Sequence, residues 1–109
     1  MSAITTHVLD AVLGKPAPGI NVQLEKEFAG AWIVLGQSVT DGDGRCRNLS
    51  PDASEGKYRL IFEVEDYFAL HDRKSIYPEI LVTFHVDGEH HYHIPLLLSD
   101  NSYTTYRGS

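Results

Sequence analysis

The sequence predicts an all-β protein, a two-sheet sandwich with one short helix near residues 66–72. Two observations carry this. Several segments alternate apolar and polar residues with a period of two, the repeat of a strand with one face buried. Clusters of Gly, Pro, Asp and Ser separate them at short spacing, the punctuation of a sandwich rather than of helices. Single cores usually run to roughly 100–150 residues, so the 109 residues are read as one domain spanning 1–109.

The first predicted strand covers 7–13, with His7 and Val8 on opposite faces, and Gly-Lys-Pro-Ala-Pro-Gly at 14–19 ends it. Ile20, Val22 and Leu24 then share one face against Asn21, Gln23 and Glu25. Trp32 to Val39 resumes β-type composition after a loop around Gly30. Asp-Gly-Asp-Gly at 41–44 predicts a tight hairpin turn, because Asp-Gly pairs supply the positive φ such turns need. Residues 45–49 follow, then a loop over 50–56. The cleanest alternation comes next: Tyr58, Leu60, Phe62 and Val64 lie on one face, with mostly charged residues opposite. The period breaks at 65–72, where Tyr67, Phe68 and Leu70 can line one side of a helix of about two turns capped near Asp66. Ile80, Val82, Phe84 and Val86 form another strand. Asp87-Gly88 is expected to turn it into a hairpin with the last one, where Tyr92, Ile94, Leu96 and Leu98 take the core face. Parity then puts His91, His93, Pro95 and Leu97 together on the other face, which either meets a partner subunit or ligand or is a solvated face with a stray leucine.

Lys and Arg total 9 against 15 Asp and Glu, a net charge of -6 that repels phosphate backbones and anionic lipid, so nucleic acid and membrane are excluded as partners. There is no apolar run long enough to span a bilayer and no signal-type start, so the protein is read as cytoplasmic. The single cysteine, Cys46, fits a reducing compartment and is read as structural.

The residues with chemical potential cluster late. His91 and His93 have the spacing that could hold zinc with His7 or His85, but no Cys pair, carboxylate-rich loop or HExxH accompanies them. Asp41 and Asp43 begin like a calcium loop without its closing Glu. Neither signal makes a metal site. The stretch Tyr106-Arg107-Gly108-Ser109 offers a phenol, a guanidinium fork, a flexible backbone and a hydroxyl.

Three blocks resemble the transthyretin-like family, and within it the 5-hydroxyisourate hydrolases: Thr-His-Val-Leu-Asp at 6–10 with Gly-Lys-Pro-Ala-Pro-Gly at 14–19, Thr-Asp-Gly-Asp-Gly-Arg at 40–45, and His-Tyr-His-Ile-Pro-Leu-Leu-Leu-Ser at 91–99 with Tyr-Arg-Gly-Ser at 106–109. Tyr-Pro-Glu at 77–79 adds a fourth point of match. The closing Tyr-Arg-Gly-Ser is absent from the hormone-carrying transthyretins. The resemblance implies a transthyretin-like (prealbumin-like) sandwich and a homotetramer of two packed dimers with sites in a channel between subunits. The implied activity is hydrolysis of 5-hydroxyisourate, the product of urate oxidation, without a cofactor. Carried over position by position, the catalytic residues are His7, Arg45, His93 and Ser109, and His7, Arg45, Tyr106, Arg107 and Gly108 bind substrate. Arg47 and His91 fall outside the set. The loop at 99–103 departs from the family's usual Pro and Gly, carrying Asp100 and Ser102 instead, and altered rigidity is expected there.

Amide hydrolysis needs an activated water, a donor for the developing oxyanion and a proton for the leaving nitrogen. Imidazole titrates near neutrality, so either His7 or His93 can take the water's proton while the other holds substrate. Arg45 stays charged and can aim two donors at a carbonyl. Ser109 is expected to orient a ring rather than attack, since no Gly-x-Ser-x-Gly elbow is present. The alternative is a transthyretin-like carrier of a hormone or other small molecule, disfavoured because an apolar ligand would leave channel His and Arg buried and unpaired.

Overall fold

The protein's structure, a computed structural model, describes residues 2–88 and 90–108, with side chains at all of these except 2, 47, 48, 51 and 52. The chain runs β1 (Ser2–Asp10), β2 (Lys15–Pro16), β3 (Asn21–Phe28), β4 (Ala31–Val39), β5 (Arg45–Ala53), β6 (Gly56–Glu63), α1 (Glu65–Leu70), β7 (Glu79–Val86), β8 (Tyr92–Leu98) and β9 (Tyr103–Thr105). One sheet has the order β2-β1-β8-β9 with β5 also paired to β1; the other has the order β4-β3-β6-β7. Alternation predicts the filling between them well. Val22, Leu24, Tyr58, Leu60 and Phe62 from one sheet meet Ile4, Val8, Ile94, Leu96 and Leu98 from the other, all buried. Each such side chain contributes about 1.5–3 kcal/mol by leaving water. No described helix is long and apolar enough to cross a membrane.

Several expectations about pairing and boundaries are corrected. The first strand starts at Ser2 and stops at Asp10, so Ala11, Val12 and Leu13 form a turn. Asp10 causes this: its Oδ1 accepts the N–H groups of Val12 and Leu13 at 3.0 and 3.1 Å, and its carbonyl accepts from Gly14 N at 2.8 Å. Local bonds to a carboxylate override an apolar run. The 50–56 loop is mostly strand, because β5 runs on to Ala53 along β1, with register shifts between Ser2 and Ile4 and between Ile4 and Thr6.

Neither Asp-Gly turn makes a hairpin. The first joins β4 of one sheet to β5 of the other, and 87–88 likewise carries β7 across to β8, which pairs with β1 in parallel. Tyr92 fixes the second crossing, its hydroxyl accepting from Asp87 N at 2.8 Å and donating to Asp87 O at 2.7 Å. The helix spans Glu65–Leu70, with Val64 rather than Asp66 at its N-cap and no side-chain cap bond. Tyr67 and Phe68 are buried as expected, but Leu70 is 83% exposed.

A buried polar cluster ties the helix to the first sheet. Asp10, 0% exposed, accepts from Tyr67 Oη at 2.7 Å and pairs with the Arg73 guanidinium, whose Nη2 and Nε also reach Asp100 Oδ1 at 2.6 and 2.8 Å. Burial alone would raise the Asp10 pKa. Hydrogen bonds from Arg73, Tyr67 and the Leu13 N–H, with the Arg73 charge, outweigh it and bring the value down to about 2. Burial and the bond to Asp10 push Tyr67 up to about 12. Asp100 therefore gives the atypical 99–103 loop an anchor, and Asn101 Oδ1, accepting from Ile76 N at 3.0 Å, adds a second.

Candidate functional site

The site is set by register across three adjacent strands. On β1, Ile4, Thr6 and Val8 take the core face and leave Thr5 and His7 half-buried on the outer one. Antiparallel pairing puts Arg45 of β5 opposite His7; parallel pairing puts His93 of β8 opposite Thr5 and Pro95 opposite His7. Paired residues share a face, so Thr5, His7, Arg45, His93 and Pro95 form one outer patch.

The 41–44 turn places Arg45. Asp41 Oδ1 accepts the N–H groups of Asp43 and Arg45 at 2.9 and 3.0 Å, and Val8 N donates to Gly44 O at 2.8 Å. Gly44 has φ 77°, and a Cβ there would lie 2.3 Å from Val8 O, so only glycine lets the turn close on β1. The same turn presents the Asp43 carbonyl to His7 Nε2 at 2.7 Å. A carbonyl only accepts, so Nε2 carries the proton and Nδ1 is the basic nitrogen of neutral His7.

His93 is half-buried, and its Nδ1 lies 2.8 Å from Thr5 Oγ1. Burial lowers its pKa, and the Arg45 guanidinium and the His91 and His7 imidazoles beside it, whose protonation competes with its own, lower it further, so the ring is neutral at neutral pH. The closing segment folds back along β8. Thr105, Thr104 and Tyr103 pair with Leu96, Leu97 and Leu98, and Gly108 N donates to His93 O at 2.8 Å. Pro95 has no N–H to give, so the ladder thins at Tyr106 and Arg107 before it resumes at the Gly108 bridge. Gly108 backs the imidazole closely: a Cβ there would lie 2.7 Å from His93 Cδ2 and 3.3 Å from Pro95 Cγ.

Of the residues expected at the site, the structure brings together His7, Arg45, His93 and Gly108. Tyr106 follows on the tail with its side chain exposed. Arg107 is turned elsewhere, its guanidinium 4.3 Å from the ring centroid of Tyr92, a core-face residue. Ser109 lies outside the described residues. His85 belongs to β7 in the other sheet, away from His91 and His93, and among the described residues no three His, Cys, Asp or Glu side chains converge in a metal-holding group. Cys46 is buried, its thiol pKa raised by burial, as befits a structural cysteine. Thr5 was missed, although its parity with His7 would have put it on this face had the strand been started earlier.

A separate concavity on the second sheet, lined by Asn21, Gln23, Gln37, Val39, Ile61 and Glu63, holds no imidazole or guanidinium. The imidazoles and guanidinium expected at the site lie instead on the open face of the first sheet, where Arg45 is exposed.

The sequence pattern of the HIUase/Transthyretin family matches residues 4–108. The 5-hydroxyisourate hydrolase of Salmonella dublin is 45% identical over 109 residues, covering 97% of this chain and 80% of that protein. Among solved structures, the 5-hydroxyisourate hydrolase of Klebsiella pneumoniae superposes with a TM-score of 0.89 at 35% identity over 100% of both chains. Sea bream transthyretin in complex with thyroxine gives 0.92 at 31% identity, over 96% of this chain and 93% of that one.

Proposed function

The chain belongs to the HIUase/Transthyretin family, and from that premise we propose that it hydrolyses 5-hydroxyisourate, opening the six-membered ring at an amide bond to give a ureido-imidazoline carboxylate. The observation that carries this reading is the meeting of His7, Arg45 and His93 on three neighbouring strands of one open face. Water attacks the ring carbonyl as His93, neutral at working pH, takes its proton. Arg45 directs N–H donors at the oxyanion, where a fixed positive fork stabilises developing charge. The carbon–nitrogen bond then breaks, and the proton held by His93 passes to the leaving nitrogen. His7, held by Asp43, orients the substrate ring. The tail, with Tyr106 and Gly108, walls the site; Ser109 completes it in this reading, and Arg107 holds the tail by stacking on Tyr92.

A homotetramer suits the open face, because a partner packed over exposed Arg45 and half-buried Leu97 would exclude water and sharpen every electrostatic contact. The same reading keeps the enzyme in the cytoplasm. It needs no cofactor, since two imidazoles and a guanidinium supply the acid, base and oxyanion roles. The carrier alternative would seat an apolar ligand against these same polar groups, at the cost of leaving them unpaired.

The test is direct. Urate oxidase generates 5-hydroxyisourate, whose ultraviolet absorbance should decay faster with the protein than without it; equal decay, with thyroxine bound tightly in calorimetry, would instead favour the carrier. Gly108→Ala should also lower kcat by about 10–10²-fold, because the added methyl displaces the His93 ring, and small misplacements of reacting groups cost this much. Circular dichroism should show the fold retained.

A further inference from the structure

One hydroxyl that no family match assigns sits between two imidazoles. Thr5 Oγ1 is 2.7 Å from His91 Nε2 and 2.8 Å from His93 Nδ1, and the two rings lie 6.1 Å apart by centroid. The contact is built into the sheet, since Thr5 and His93 are register partners on neighbouring strands. A threonine hydroxyl has one proton to give. At most one of the facing ring nitrogens can therefore accept from it, and at least one must carry a proton of its own.

The two ordered arrangements differ in consequence. If the hydroxyl donates to His93 Nδ1, the ring's proton sits on Nε2 and His93 has no bare nitrogen left to receive another. If His93 Nδ1–H donates to Thr5 Oγ1, the hydroxyl donates onward to His91 Nε2 and His93 Nε2 is bare. Only the second order suits a base.

We propose that Thr5 is a positioning residue that fixes His93 in the Nδ1–H form and links it to His91 as the outer end of a proton relay. The proposal rests on the hydrolase reading for its kinetic part and for the choice between the two orders, and on geometry for the coupling of the hydroxyl to both rings. As His93 Nε2 takes a proton from water, the Nδ1 proton moves to Thr5 Oγ1 while the hydroxyl proton moves to His91 Nε2. The positive charge thus passes from a half-buried ring beside Arg45 to an exposed one, with no atom gained or lost. Return of the Nε2 proton to the leaving nitrogen runs the relay backwards. His91, absent from the family's site set, acquires a task. So does a threonine that is otherwise an ordinary strand residue.

The experiment pairs nitrogen-15 NMR of the resting protein with steady-state kinetics on wild type, Thr5→Val, Thr5→Ser and His91→Phe. Above its pKa, wild-type His93 should show the shift pattern of a protonated Nδ1 and bare Nε2; Thr5→Val, similar in shape but without a hydroxyl, should move the proton to Nε2. We expect kcat to fall by about tenfold or more in Thr5→Val with KM within about twofold, and Thr5→Ser to restore most of it, the range in which a lost proton-transfer partner acts. His91→Phe keeps a ring but removes the acceptor, and should shift the His93 pattern in the same direction, which keeps the test decisive if Thr5→Val folds poorly. An unchanged His93 pattern in both variants, wild-type kcat in Thr5→Val, or no rescue by serine would overturn the proposal. Because NMR uses no substrate, a protein that failed to hydrolyse 5-hydroxyisourate would sink the hydrolase reading and leave the protonation result standing.

Discussion

His93→Asn is expected to lower kcat by about 10²–10⁴-fold, the range for losing a positioned general base, while KM changes little. Asparagine keeps a polar side chain on the outer face but has no nitrogen that titrates near neutrality. The acid limb of the wild-type profile provides an independent check. The base works only when neutral, and burial together with the facing Arg45 guanidinium and the His91 and His7 imidazoles depresses its pKa, so kcat/KM should hold as pH falls past the ordinary histidine value of 6.5 and decline only below it. A limb at or above 6.5, or near-wild-type turnover in His93→Asn, would move the base to His7. That outcome has its own geometry, since His7 Nε2 is tied to Asp43 and Nδ1 is left as the basic nitrogen.

The second large effect concerns stability. Asp10→Ala should cost roughly 3–5 kcal/mol, the penalty for removing one partner of a buried ion pair, because Tyr67 and Arg73 would lose the acceptor they converge on. Protonation is gentler than deletion. The folded carboxyl ionises near 2 rather than at the ordinary 3.8, so the stability it contributes, about 2 kcal/mol by linkage, is present in full above the unfolded value and is lost as pH falls through the folded one. Urea titrations at descending pH should show a midpoint that falls between about pH 4 and 2 in wild type. In Asp10→Ala that component of the fall should be missing. Unchanged urea midpoints in the variant would refute the cluster's role.

Alternation made the faces legible but not the neighbours. The series 58, 60, 62, 64 and 92, 94, 96, 98 fell to the core as read, and the parity of the second sent His93 outward. The same rule says nothing about which strand lies alongside. Hence β7 and β8, consecutive in sequence with an Asp-Gly turn between them, were expected to pair and instead belong to different sheets. A buried aspartate reads as a polar position in a strand until its partners are known, and Tyr67 and Arg73 are supplied from 57 and 63 positions away. The helix cap was misread for the opposite reason: Asp66 is a good capping residue, but packing of Tyr67 and Phe68 starts the helix earlier, with Val64 at the cap. The union of His7, Arg45 and His93 entered through resemblance, because no local pattern links positions so far apart.

The parallel pairing of β1 with β8 also has a kinetic meaning. Thr5 and His93 are bonded across 88 residues of chain, so nearly the whole sequence must be looped before the two can meet. Closing such a loop spends entropy that only the completed sandwich returns, and folds dominated by distant pairings are correspondingly slow. No partly folded intermediate that lacks this pairing can hold the patch of imidazoles and guanidinium. Recovery of activity after dilution from denaturant should therefore lag early collapse and keep time with the last strand to dock.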